Sequence, residues 1–320
     1  MGRRRKGLPI SGWINLDKPA GMTSSDCVNA VRRITGAAKL GHAGTLDPSA
    51  TGILPIALGE ATKTMPYVTD SIKQYAFTVH WGVRTSTDDA EGELVETSDV
   101  RPDEAAIRAA LPQFVGAISQ VPPAFSAIKV AGERAYAKAR AGEEFELAAR
   151  IIDIHALELL EILDESAARF TVTSGKGAYM RALARDLAAA LGTCGHLSGL
   201  RRTAVGPFAE GAAISLEMLQ ELSHSAAASP HMLPVETALD GIPALALSDR
   251  EAERLRNGQA VPVLRPQDRE RIATAGDNGI VLALDADIPV ALARVDGIQI
   301  RPVRVLNLSM PGEDDHVDYA

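Results

Sequence analysis

The residue whose type and setting most readily do chemistry is Asp47, in the run Gly41-His42-Ala43-Gly44-Thr45-Leu46-Asp47-Pro48. It is a lone carboxylate with two glycines upstream and a proline directly after it. One placed carboxylate can serve as a nucleophile or as a general base. An Asp-Pro pair is also a common turn signal, in which the carboxylate caps its own backbone and does nothing else. Taken alone, the stretch fits the turn better. Other residues divide the same way. Tyr75 is either the first packing aromatic of a strand or a group at a site. Arg181 and Arg185 lie one turn apart on one helix face, as solvated arginines commonly do. His42 alone reads as a turn residue. Gly175-Lys176-Gly177 before a helix could hold an anion or simply turn the chain.

Periodicity and punctuation outline the elements that must position these residues. Trp13-Ile14-Asn15-Leu16 predicts a short strand, ended by a Pro/Gly turn over residues 17–21. Thr23-Ser24-Ser25-Asp26 has the spacing of a capping box. Val28, Val31 and Ile34 follow at helical intervals, and Gly36 closes the helix. An apolar run over residues 53–58 follows the Asp47 loop. Residues 75–83 alternate with period two and are rich in aromatic and β-branched types, which predicts a strand. The polar stretch 84–96 reads as a loop or hairpin crossing. Pro102-Asp103-Glu104 opens a helix with proline first and acids in the first turn. The chain breaks at Val121-Pro122-Pro123-Ala124, and a short helix around 133–140 ends at Gly142. Strands are expected at about 150–162 and 168–174, then the strongest helix of the chain, 178–191, stopped by Gly192. A short strand follows over 195–203. The Ser/Ala-rich stretch 223–230 reads as a loop near a boundary. Beyond it, Ser248-Asp249-Arg250-Glu251 is a capping box for a helix ending at Gly258. Strand candidates at 280–284, 289–295 and 300–306 then suggest a small strand-rich second domain.

Composition sets the outer limits. A chain of 320 residues, 46% apolar and 23% charged, can fill a real core and is long enough for two domains. Cys27 and Cys194 form no C-x-x-C pair, which fits a reducing compartment. The seven histidines are scattered without Cys/His spacing, so no structural zinc is expected. No stretch approaches the roughly 20 apolar residues of a membrane span, and the basic start is not followed by a signal-peptide core. A cytoplasmic protein is expected. The net charge of −8 conceals an asymmetry. Residues 1–66 hold nine Lys/Arg against four Asp/Glu, residues 67–200 thirteen against nineteen, and residues 201–320 eleven against eighteen. A basic N-terminal fifth on an acidic protein suits a selective polyanion binder more than a coating protein.

The string from Gly41 to Lys63, GHAGTLDPSATGILPIALGEATK, resembles the catalytic motif of the tRNA pseudouridine-55 synthase family (the TruB type). Further matches follow in family order. They are Asn15-Leu16-Asp17-Lys18-Pro19-Ala20-Gly21-Met22-Thr23-Ser24, then Tyr75, Ser126-Ala127-Ile128-Lys129, Gly175-Lys176-Gly177-Ala178-Tyr179-Met180-Arg181, and Leu200-Arg201-Arg202-Thr203. The resemblance covers about residues 12–208.

That resemblance implies isomerisation of uridine to pseudouridine at position 55 in the T arm of tRNA, with no cofactor and no metal. Asp47 matches the catalytic aspartate, Arg181 the arginine that pairs with it, and Tyr75 the tyrosine that stacks on the flipped base. His42 matches the histidine that enters the space the base leaves. Tyr179, Lys18, Lys63, Lys129, Leu200, Arg201 and Arg202 lie inside matched motifs. The basic ones are candidates for phosphate contact or for local support. The implied fold class is α+β, with a catalytic domain over residues 1–238 built on a mixed, largely antiparallel sheet flanked by helices. An RNA-gripping insertion is implied at about 120–150, a small β-rich PUA-like domain at 239–310, and an acidic tail at 311–320. The implied partner is the T-arm stem-loop of tRNA, bound by a monomer with no obligatory protein partner. Two other readings stand beside it. One is a tRNA-binding or folding-assisting protein with secondary catalysis; the other is a related synthase acting on ribosomal RNA with guide partners.

Overall fold

The apolar run after Asp47 becomes the strand Thr51–Leu58, and it is buried on both faces. Ile53 and Ala57 pack into one core cluster with Trp13 and Phe208, whereas Leu54, Ile56 and Leu58 pack on Cys27, Val28 and Val31 of helix Ser24–Thr35. A strand covered on both sides has no polar face, so its sequence is continuously apolar instead of alternating. The computed structural model describes residues 7–126, 128–130, 133–143, 145–223, 231–263, 265–273 and 279–308.

Thr51–Leu58 belongs to a nine-stranded sheet. The main path runs Gly12–Lys18, Thr51–Leu58, Gly195–Val205, Lys73–Trp81, Ala167–Ser174, Arg150–Asp164 and Gly116–Gln120. Every neighbouring pair on that path is antiparallel except Gly195–Val205 against Thr51–Leu58, where Arg201 and Arg202 run parallel to Thr51 and Gly52. The expected mixed, largely antiparallel sheet with flanking helices is present. In Lys73–Trp81 the period-two reading holds, with Tyr75, Phe77, Val79 and Trp81 all buried. Helix Met180–Ala190 covers them through Leu183, Ala184 and Leu187. The capping box of helix Ser24–Thr35 forms at Thr23 and Asp26, and Gly36 ends it at φ 67°.

Some local expectations shift. Pro102 lies outside its helix, because Asp103 takes the N-cap and accepts the Ala106 N–H at 2.8 Å. The helix expected around 133–140 is Ala135–Arg140, preceded by a small hairpin of Lys129–Val130 and Glu133–Arg134. Strand Gly116–Gln120 carried no alternation to reveal it, since it is an edge strand with only Gln120 buried. The polar stretch 84–96 is a hairpin of Val83–Thr85 with Leu94–Thr97. The expected loop residues 224–230 and the tail 311–320 lie outside the described residues.

A second sheet of five strands follows, ordered Ala244–Leu247, Ile280–Asp285, Ile288–Asp296, Gln299–Val305 and Val261–Pro262. Helix Asp249–Arg256, with its capping box at Ser248 and Glu251, buries Ala252 and Leu255 against it. The two sheets meet in one apolar cluster, where Trp13, Ile53 and Val235 pack with Ile280, Leu282, Leu292 and Leu306. Among the described residues no helix is long and apolar enough to cross a membrane.

Candidate active site

The loop that carries Asp47 is held from beneath by the segment containing residues 18–24. Lys18 is fully buried, and its ammonium donates to the carbonyls of Pro19, Pro48 and Ala50 at 2.9, 3.1 and 2.6 Å. Ser24 Oγ donates to the Leu46 carbonyl and accepts the Leu46 N–H, and the Gly21 N–H donates to the Pro48 carbonyl at 2.8 Å. On its other flank the loop rests on Arg202, 1% exposed, which donates from Nε to the Ile53 carbonyl at 2.7 Å and from Nη2 to the Gly44 carbonyl at 3.0 Å. Two glycines make this approach possible. Gly52 has φ 97°, and a Cβ there would lie 2.2 Å from the Arg202 carbonyl oxygen; Gly44 has φ 104°, and its Cβ would press on the Arg202 guanidinium. Tyr75 is the cross-strand partner of Arg202 and is buried in the same apolar cluster as Leu46 and Ala50. The Tyr75 hydroxyl side partly offsets the burial that lowers the pKa of Arg202.

With its backbone tied down in this way, Asp47 turns its carboxylate to Arg181, whose Nε lies 3.0 Å from Oδ2. The Asp47 side chain is 42% exposed and that of Arg181 only 7%. The arginine is therefore a buried fixture, and the carboxylate is its open end. Arg181 is held by further oxygens: Nη1 donates to the Thr87 carbonyl at 3.1 Å, Nη2 to the Phe125 carbonyl at 2.8 Å, and Asp89 Oδ2 lies 3.6 Å from Nε. Asp47, Asp89, Ala90, Leu197 and Leu200 line one small cleft. A carboxylate aimed by a planar guanidinium fork into a cleft can attack an electrophile or move a proton there.

The TruB family pseudouridylate synthase (N terminal domain) model matches residues 32–180, and the tRNA pseudouridylate synthase B C-terminal domain model matches residues 181–240. The tRNA pseudouridine synthase B of Caulobacter vibrioides is 53% identical over 312 residues, covering 97% of this chain and 100% of that one. Its counterpart in Rhodospirillum rubrum is 52% identical over 308 residues, covering 96% and 100%. The chain belongs to the TruB family. Among solved structures, the fold is similar to one in a Cbf5–Nop10–Gar1 complex, with TM-score 0.70 and 27% identity over 92% of this chain and 84% of that one. It is also similar to one in an archaeal box H/ACA sRNP Nop10–Cbf5 complex, with TM-score 0.69 and 25% identity over 98% and 94%. The junction of the two TruB models, between residues 180 and 181, does not divide the sheet. Strand Gly195–Val205 from the second inserts between Thr51–Leu58 and Lys73–Trp81 from the first.

Within this TruB site the remaining singled-out residues separate. His42 ends the short strand Leu40–His42, half-buried, and desolvation with the nearby Arg202 charge lowers its pKa below the ordinary imidazole value. Tyr179 is the N-cap residue of the Arg181 helix, fixed by Gln120, whose side chain accepts its N–H at 2.9 Å and donates to its carbonyl at 3.2 Å. Burial raises the pKa of the Tyr179 phenol. Of the two roles open to the basic residues, Lys18 and Arg202 take local support, since both are buried on backbone carbonyls. Lys63 is tied to Glu60 and to the Val305 carbonyl of the second sheet. Arg201 holds Asp17 in a two-bond fork at 3.0 and 2.9 Å and also pairs with Glu210. The side chain of Lys129 lies outside the described residues. Sequence reading missed Asp89, Ser24 and Gln120. Asp89 stood in a polar stretch read as a crossing, and nothing in its spacing tied it to an arginine 92 positions away.

Proposed function

We propose that this chain isomerises uridine to pseudouridine at position 55 in the T arm of tRNA, with Asp47 as the group that bonds to the nucleoside. The observation that carries this reading is the 3.0 Å pair of an open Asp47 carboxylate with a buried Arg181 guanidinium. In the reaction the C1′–N1 bond breaks, the base turns, and C1′–C5 forms. N1 gains a proton and C5 loses one, so atoms and charge balance without an external reactant. Tyr75, buried in one apolar cluster with Leu46 and Ala50, meets the face of the extruded base. His42, its pKa lowered by burial, is neutral at pH 7 and can fill the vacated stack without desolvating a charge. Extruding a base costs a few kcal/mol, and such stacking offsets part of it.

The domain reading proposed with it is a catalytic unit over residues 1–238 with an RNA-gripping insertion at 120–150, and a PUA-like RNA-binding unit at 239–310. The separate five-stranded sheet of residues 244–305 supports the second unit. The relatives at 52–53% identity, matched over their whole length, favour a tRNA substrate over ribosomal RNA. The test is an unmodified T-arm stem-loop incubated with wild type and Asp47→Asn, with pseudouridine mapped in the product. Wild type should convert the target uridine, and Asp47→Asn should abolish conversion while retaining binding. Conversion of ribosomal RNA but not of the stem-loop would overturn the substrate. Equal loss of binding and conversion in Asp47→Asn would overturn the role of Asp47.

A further inference from the structure

Helix Met180–Ala190 carries a second arginine, one turn beyond Arg181, that the chemistry above does not use. The Arg185 side chain is 22% exposed and ends on three oxygens. Nη1 lies 2.9 Å from Asp88 Oδ2, Nη2 donates to the Val121 carbonyl at 2.8 Å, and Nε lies 2.9 Å from Asp186 Oδ1. Asp88 is the unusual partner. Its carboxylate is 13% exposed, and its backbone sits at φ 60°, in the left-handed region that non-glycine residues seldom occupy. Burial raises the pKa of this carboxyl, and Arg185 works against that rise. The turn is also fastened on its far side. The Leu197 N–H donates to the Asp88 carbonyl at 3.0 Å, and the Ala90 N–H donates to the Leu197 carbonyl at 3.1 Å.

The two segments that Arg185 grips are those that hold Arg181. Thr87 and Asp89, on either side of Asp88, supply a carbonyl at 3.1 Å and a carboxylate at 3.6 Å to Arg181. Phe125, four residues past Val121, supplies the carbonyl at 2.8 Å. So the three oxygens that hold Arg181 apart from Asp47 all lie in stretches anchored by its neighbour one turn along. Arg185 lies one turn along the same helix, and its polar contacts go to Asp88, Val121 and Asp186, not to Asp47 or the cleft lining. Its effect on chemistry would run through geometry alone.

We propose that Arg185, paired with Asp88, is a positioning residue for this reaction, fixing the 87–89 turn and the 121–125 segment so that Arg181 Nε stays aimed at Asp47. The inference rests on the reading given under Proposed function. A shift of about 1 Å in a positioned group can cost on the order of a hundredfold in rate. Loss of either partner should therefore slow conversion of bound RNA and leave binding largely alone.

The test compares single-turnover conversion of the T-arm stem-loop at saturating enzyme, stem-loop Kd, and Tm. The proteins are wild type, Arg185→Gln, Arg185→Lys, Asp88→Asn, Asp88→Gly and the Arg185→Gln/Asp88→Asn double variant. Arg185→Gln and Asp88→Asn should each slow conversion about ten- to a hundredfold, with Kd within about twofold of wild type. The double variant should be no slower than the slower single, as expected of two residues acting through one contact. Arg185→Lys should recover part of the rate. Asp88→Gly relieves the left-handed backbone yet lacks the carboxylate, so it should be as slow as Asp88→Asn whatever its Tm. Wild-type rates in Asp88→Gly would overturn the proposal, because the turn would then need only its backbone shape. Rates that fall only in step with Kd would overturn it too. If Arg185→Gln fails to fold, the two Asp88 variants decide. A wild-type enzyme inactive on the stem-loop would instead overturn the functional reading, and this role with it.

Discussion

Lys18 Nζ lies 2.6 Å from the carbonyl oxygen of Ala50, three residues past Asp47, and the same ammonium reaches the Pro48 carbonyl at 3.1 Å. A buried lysine thus serves as the internal template of the Asp47 loop. Its charge is met by three backbone dipoles, including the Pro19 carbonyl, in place of a carboxylate. This explains why the segments around residues 15–24 and 41–63 occur together in one sequence. The first holds the second in shape.

Lys18→Met should therefore destabilise the fold by about 2–4 kcal/mol, because it leaves buried carbonyls without a donor. Urea unfolding of wild type and variant measures this directly. An unchanged unfolding midpoint would mean that water replaces the ammonium and that Gly21, Ser24 and Arg202 hold the loop without it.

Arg181→Lys should lower single-turnover conversion by about a hundredfold or more while leaving stem-loop affinity within about threefold. A lysine keeps the charge but cannot face Asp47, Thr87 and Phe125 at once, since it lacks the planar fork. Rapid-quench kinetics with separately measured Kd checks the split. Retained rate would show that the charge alone is sufficient.

How much of this site could be read in the sequence depended on how local each cause was. The capping boxes at Thr23 and Ser248, the glycine stops and the alternation in Lys73–Trp81 are short-range, and they were legible. The pairing of Asp47 with Arg181 was legible only through the family resemblance, because nothing in their spacing brings residues 47 and 181 together. Supporting roles were not legible. Lys18 and Arg202 look like phosphate ligands in a string of letters, and only the fold shows both buried, with Lys18 on three backbone carbonyls and Arg202 on two. Asp88 and Asp89 looked like solvated loop acids, since pairing with residues 185 and 181 is a property of how a hairpin lies on a helix.

Glu60 should prove to be the polar lock between the two sheets. One of its carboxylate oxygens, Oε2, accepts from Lys63 at 2.6 Å and from the Asn307 N–H at 2.7 Å, while Lys63 also donates to the Val305 carbonyl at 2.8 Å. Glu60→Ala should speed amide hydrogen exchange at Asn307 by about tenfold or more, a loss of protection on the order of 1.4 kcal/mol. Amides of the strand Lys73–Trp81 should keep their protection. Equal acceleration in both places would mean that Glu60 supports the whole fold and not the joint.

Lys73 gives the chain a stability that should rise in mild alkali. Burial, aided by the nearby Arg202 charge and opposed by Asp70, pulls its pKa from 10.5 down to about 8. The side chain donates to the carbonyls of Thr69 and Ser71 at 2.7 and 2.6 Å, and a neutral amine retains two N–H groups for those two acceptors. Between about pH 8 and 10.5 the unfolded chain still carries the proton that the folded chain has shed. The unfolded state then binds more protons, and stability increases with pH through that window. The gain between pH 7.5 and 9.5 should be about 1–2 kcal/mol, since each pKa unit corresponds to about 1.4 kcal/mol. Other groups titrate in the same range, so the measurement is the difference between wild type and Lys73→Met in urea unfolding at the two pH values. The variant should lack this increment even if it is less stable at both. Parallel curves for the two proteins would show that Lys73 stays protonated in the folded state and that its ammonium is better accommodated than its burial implies.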